Sequence, residues 1–261
     1  GMELKVVYGD TDSVFVQIIP PNKDQISYEM ASSIGKIIAQ RITESLPDPM
    51  ELVFEGFARR GIFLTKKRYA LLLENSDSTT KMKIRGLEIV RRDWCDLVSD
   101  TLKSCLDYIL VRGDPEGAAN YVRSMVNRVR NLETPTESDL NPLILSRKYT
   151  KSIGEYKNKQ PHVELVKKSE RRGEEVPGIG DRISFVIVRG NNLFSERAER
   201  VDYVIKNNLK VDSDYYIFNQ ILPPVLRLLK PFGVSEDHLI HNYVVRPGLR
   251  TKNVQKSILD F

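Results

Sequence analysis

The 261 residues are 41% hydrophobic and 29% charged, with 15 Gly and 13 Pro. This composition excludes collagenous and low-complexity chains and suits a globular protein of one or two domains. Lys plus Arg number 40 against 35 Asp plus Glu, a net charge of +5, and no window approaches the ~18 consecutive apolar residues of a membrane span.

The chain opens Gly1-Met2-Glu3 and runs straight into a strand-like segment. Gly1 reads as a tag scar and Met2 as the natural start. No signal peptide is expected, and a reduced, cytoplasmic setting is. Leu4 to Tyr8 and Val14 to Ile19 are β-branched runs around Gly9-Asp10-Thr11-Asp12-Ser13, which predicts a hairpin with acids at its tip. Asp24 to Leu46 has helical spacing and stops before Pro47 and Pro49. Leu52 to Phe57 and Ile62 to Glu74 read as two further strands.

After Gly86 the pattern becomes helical. Asp93 to Val111 predicts one helix, holding both cysteines, Cys95 and Cys105. They lie too far apart along it for a disulfide. Asp114-Pro115-Glu116 starts another helix, running to about Leu132, with an N-cap acid and Pro at N1. Pro161 to Arg172 predicts a short helix, Ile183 to Arg189 a strand, and Pro177 to Asp181 a turn. Asp212 to Leu229 predicts a long helix kinked at Pro223-Pro224. His162, His238 and His241 are isolated, and no Cys-x-x-Cys or His pair suggests zinc.

Positive charge is clustered. Arg59 to Tyr69 holds five basic residues and no acid, and Asn141 to Arg172 holds nine basic residues and three acids. Such clusters fit a polyanion or a solvated face. On spacing alone, Asp10 and Asp12 fit either an Asp-rich turn or a site for a hard cation such as Mg²⁺, which prefers carboxylate oxygen.

Tyr8-Gly9-Asp10-Thr11-Asp12-Ser13 resembles the palm hairpin motif of family B DNA polymerases. Lys66-Lys67-Arg68-Tyr69, then Arg85-Gly86-Leu87-Glu88 with Arg91-Arg92-Asp93-Trp94, then Tyr215-Tyr216 with Asn219-Gln220-Ile221-Leu222-Pro223, resemble later segments of archaeal members in order. The resemblance implies an α+β fold: half a palm over residues 1–86, built on an antiparallel sheet with a helix. A mainly helical thumb over 87–240 and a basic tail over 241–261 follow. It implies that Asp12, with Asp10 nearer the edge, binds two Mg²⁺ ions for nucleotidyl transfer on primer-template DNA and deoxynucleoside triphosphate.

Thr11 and the run Lys66, Lys67, Arg68 and Tyr69 would contact DNA. Alternation along one strand would send Lys66 and Arg68 one way, Lys67 and Tyr69 the other. Arg147, Tyr149, Lys151, Tyr156 and His162 would grip the duplex backbone. Glu51 and Glu55, sharing a strand face, fit outer carboxylates or a solvated face; Val53 between them departs from the acid common in archaeal relatives. Gln255, Ile258 and Phe261 resemble a peptide that docks on a sliding clamp, with Asp260 in place of one aromatic.

Three family features are missing: the second metal-binding aspartate, the nucleotide-binding fingers helix and the exonuclease acids. The expected protein is therefore the C-terminal part of such a polymerase, inactive without the polypeptide, a large subunit, that carries those parts; the Met2 start favours the small subunit of a naturally split enzyme over a truncated one. The rival expectation is a non-catalytic DNA-binding and clamp-binding module derived from a polymerase. A reverse transcriptase fits less well, because those palms carry adjacent aspartates.

Overall fold

The computed structural model describes residues 2–21, 25–132 and 135–240. They form two compact units. The first is the chain up to Val90 together with Leu110–Gly113; the second is Arg91–Ile109 and the chain from Asp114 on. The expected division at residue 86 lies just short of this point.

In the first unit, β1 (Glu3–Asp10) and β2 (Ser13–Ile19) pair antiparallel. Thr11 and Asp12 alone form the loop, and Thr11 takes the left-handed φ of 55°. Tight two-residue loops require such dihedrals. Val7 is an extra residue between Val6↔Val16 and Tyr8↔Phe15, a β-bulge. Helix α1 (Tyr28–Thr43) starts at Ser27, whose hydroxyl accepts the Met30 N–H at 3.2 Å.

The expected strand at 52–57 does not form. The Leu52 N–H donates to the Thr43 hydroxyl at 2.8 Å, replacing a ladder partner. Phe54 packs where Gly35 of α1 has no side chain; a Cβ there would meet the ring at 2.2 Å. The expected strand at 62–74 is two strands, β3 (Phe57–Thr65) and β4 (Arg68–Glu74). Lys66 and Lys67 make the turn between them, with Lys67 at φ 62°. The sheet order is β3-β4-β5, where β5 (Thr80–Arg85) was not anticipated. The five strands thus form two antiparallel sheets rather than one. Four rings join them: Tyr8 and Phe15 from the hairpin meet Phe63 and Tyr69 with centroids 5.0–5.7 Å apart.

The second unit is mixed, with helices predominating. Helix α2 (Asp96–Leu106) runs into a widened π-type turn at Asp107–Arg112. Helix α3 (Pro115–Arg130) begins as expected, the Asp114 carboxylate accepting the Gly117 N–H at 2.8 Å. Its buried face, Ala118, Ala119, Val122, Val126 and Val129, follows helical periodicity into a core shared with Val98, Leu102 and Leu106 of α2. Helix α4 (Pro161–Arg172) ends at Gly173, φ 69°. A small antiparallel sheet of β6 (Leu145–Lys148), β7 (Arg182–Ile187) and β8 (Ala198–Glu199) completes the unit.

The expected break in the long helix falls before the prolines. Tyr216–Ile221 is a π-type turn, and α5 (Leu222–Leu229) carries Pro223 and Pro224 in its first turn. Their missing donors and bulky rings are accommodated by widening the preceding turn. Cys95, capping α2, and Cys105 within it are both free and fully buried. Burial pushes their thiols up to about 11 and about 12, so they are unreactive. No helix among the described residues is long and apolar enough to cross a membrane.

Candidate metal-binding hairpin and nucleic-acid interface

The β1–β2 loop places two carboxylates at an exposed tip. Asp10 closes β1 opposite Ser13. Its carboxylate accepts from the Thr11 hydroxyl at 3.2 Å and lies 3.9 Å from the Lys67 ammonium. The Asp12 N–H donates to the Asp10 carbonyl at 2.7 Å, so the loop backbone holds Asp12 beside Asp10. The Asp12 side chain is exposed.

No group of three or more His, Cys, Asp or Glu able to hold a metal is found among the described residues. The half-buried Asp10 and exposed Asp12 carboxylates nonetheless fit Mg²⁺, which keeps several waters and is commonly held by one or two carboxylates plus substrate phosphates. Glu51 and Glu55 do not share a strand face, because no strand forms there. Both are exposed, and Glu55 faces Lys83 at 3.6 Å.

The first basic cluster is less open than its sequence suggests. Arg59 forks onto Glu74 with two bonds of 2.6 Å and donates to the Ile26 carbonyl at 2.8 Å. Arg60 donates to the carbonyls of Leu110 and Val111. Arg68 is bound to the buried carboxylate of Glu88 and to the Gly86 carbonyl. Tyr69 belongs to the ring cluster. Lys66 and Lys67, at the turn, are the exposed cations of the run Lys66 to Tyr69. The expected alternation along a strand is therefore replaced by a turn that projects two lysines and turns the arginine inward.

In the second unit, Arg147 and Lys151 are exposed, and Arg147 lies 3.3 Å from Asp93. Lys148 and Lys157 are exposed as well. Tyr149 and His162 are interior, each 5% exposed, so neither presents itself to a phosphate. Tyr149 stacks on Tyr156 at 6.0 Å, and His162 stands edge-on to both rings. The Tyr156 hydroxyl accepts the N–H groups of Thr150 and Lys151 at 3.0 and 3.3 Å. These rings shape the loop that carries Lys151. Burial, then the nearby Arg147 charge, lowers the His162 pKa. Gln255, Ile258 and Phe261 lie outside the described residues.

The family model for DNA polymerase family B matches residues 1–232. This chain belongs to DNA polymerase family B. Similar proteins include a DNA polymerase of Methanocaldococcus jannaschii, 39% identical over 90% of this chain and 14% of that one. Another, from Pyrococcus horikoshii, is 38% identical over 94% of this chain and 19% of its own length. The family B DNA polymerase structure from Pyrobaculum calidifontis matches with a TM-score of 0.65 and 33% identity, covering 89% of this chain and 27% of that one. This family B chain thus spans less than a third of the relatives it matches.

Sequence reasoning missed three residues that shape the site. Glu88 turns Arg68 inward, Gly86 lets the chain approach the lysine turn, and the Tyr8 hydroxyl meets the Lys67 amide. Each was within a quoted motif, but their contacts lie 19 to 59 residues away along the chain, beyond any local spacing rule.

Proposed function

We propose that this family B chain supplies the metal-binding palm hairpin and the duplex-gripping thumb of a DNA-directed DNA polymerase. The fingers, the exonuclease acids and the remaining palm aspartate come from polypeptide outside this sequence. The observation that carries the reading is the Asp10–Asp12 hairpin tip, with Asp12 exposed, beside the Lys66–Lys67 turn. Asp12 and Asp10 would hold Mg²⁺, which when bound activates the primer 3′-hydroxyl and neutralises triphosphate charge. Thr11 would lie against the DNA. Lys66 and Lys67 would meet phosphates or the minor-groove acceptors shared by all base pairs, as sequence-independent binding requires.

Arg147 at the end of β6 and Lys151 on the loop shaped by Tyr149, Tyr156 and His162 would contact the duplex backbone. Gln255, Ile258 and Phe261 would dock on a sliding clamp. Exposed apolar side chains on the first unit, among them Val6 at 65% and Val53 at 70%, support a covering polypeptide.

The chain alone is expected to show no primer extension, and adding the completing polypeptide to restore Mg²⁺-dependent synthesis. In that complex, Asp12→Ala should lower the rate by several orders of magnitude with little loss of DNA affinity. Unchanged synthesis would instead leave a DNA-binding module without catalysis.

A further inference from the structure

Lys67 joins the two sheets of the first unit twice. Its backbone N–H donates to the Tyr8 hydroxyl at 2.6 Å, and its ammonium lies 3.9 Å from the Asp10 carboxylate. Tyr8 and Asp10 are two residues apart on β1 and so point to one face. Lys67 therefore straddles the end of the strand that carries the acids.

The turn is held from its other side as well. Lys67 has φ 62°, a region that side-chain-bearing residues seldom adopt. Its carbonyl packs against Gly86, where a Cβ would sit 2.1 Å from the oxygen. The Tyr8 ring lies on Phe63 at 5.0 Å, interplanar angle 21°. Ring packing alone would be served equally by Phe. The hydroxyl adds one thing, an acceptor for the amide of a turn residue on another sheet.

We propose that Tyr8 is a positioning residue: its hydroxyl locks the Lys66–Lys67 turn to the acid-bearing tip. Hairpin and turn then meet the primer-template as one rigid edge. The inference rests on the reading of that edge as a DNA contact. With the hydroxyl gone, the turn keeps its residues and charges but loses its register against Asp10.

The test compares four full-length chains: unaltered, Tyr8→Phe, Lys67→Gln and Phe15→Leu. Amide hydrogen exchange at Lys67, primer-template binding across a salt series, and melting temperature are measured on each. Tyr8→Phe should speed Lys67 exchange by about 3- to 10-fold, the range expected for one lost hydrogen bond. It should lower DNA affinity by a similar factor and reduce the salt slope by about 1, the change also expected of Lys67→Gln. Phe15→Leu thins the ring cluster and keeps the hydroxyl. It should lower the melting temperature while leaving Lys67 exchange and the salt slope unchanged. Unchanged Lys67 exchange in Tyr8→Phe would overturn the proposal. So would full DNA affinity in Tyr8→Phe where Lys67→Gln is weakened, with the DNA reading left standing. If neither variant alters binding, the DNA reading of the turn falls and the positioning role falls with it.

Discussion

Replacing Gly86 with Ala tests the close approach on which the basic turn depends. Gly86 has φ +65°, and an added Cβ would lie 2.1 Å from the Lys67 carbonyl oxygen and 3.1 Å from its carbon. Left-handed backbone costs an L-residue roughly 1–2 kcal/mol. The clash is with backbone, so no side-chain rotation relieves it and the turn itself must shift. That shift endangers the Tyr8–Lys67 bond and the bond from Arg68 to the Gly86 carbonyl, each contributing roughly 0.5–1.5 kcal/mol. The expected destabilisation is about 3 kcal/mol.

Gly173→Ala is the control. Its φ is +69°, but nothing lies within 4 Å of the added atom, so only the backbone cost of roughly 1–2 kcal/mol remains. Urea unfolding followed by ellipticity gives the two values. Amide exchange of the β3–β5 segments assigns the Gly86→Ala loss to the first unit. Equal costs within about 0.5 kcal/mol would refute the reasoning, because the contact would then have no energetic weight.

Two further outcomes follow from the second unit. Burial depresses the His162 pKa below its ordinary 6.5, so the unfolded chain binds the proton more readily. Stability is full above about pH 6.5 and falls as pH drops from there toward the lowered folded value, with a slope of up to ~1.4 kcal/mol per pH unit. Melting curves between pH 7.5 and 5 should show a shallower loss for His162→Phe, and an identical pH profile would count against the assignment. Arg197 and Asp212 form a buried ion pair, and Asp212 also accepts the Tyr215 N–H at 3.0 Å. Arg197→Leu should cost about 3–5 kcal/mol by stranding the carboxylate. Adding Asp212→Asn, which keeps the acceptor for Tyr215, should recover part of that in urea titrations; no recovery would mean that the charge is not the cause.

Much of the chain is written in local chemistry. The Asp114–Pro115 start of α3, the span of α4 from Pro161 to Arg172, and the hairpin with its acids at the tip all appear where the sequence places them, although the strands run on through Gly9 and Asp10 and leave only two residues in the loop. Capping and turn dihedrals are decided within three or four residues, so neighbours in sequence suffice to determine them. The order of motifs around Asp10 and Asp12 is likewise a property of the sequence alone.

Only the tertiary structure decided which charges are available. Arg59, Arg60, Arg68, Lys66 and Lys67 belong to one basic run, yet Arg59 and Arg68 are drawn inward by Glu74 and Glu88, and Arg60, though exposed, is tied to the Leu110 and Val111 carbonyls. The segment at 51–56 has strand-like residues, but Thr43 and Gly35 of α1 offer it better partners than a ladder. Tyr149 and His162 sit among basic neighbours in sequence and pack into the interior in space. A cation or a ring carries no record of the distant group that will desolvate or bind it. That partner is fixed only when segments far apart in sequence pack together, and burial then determines which polar side chains still face solvent.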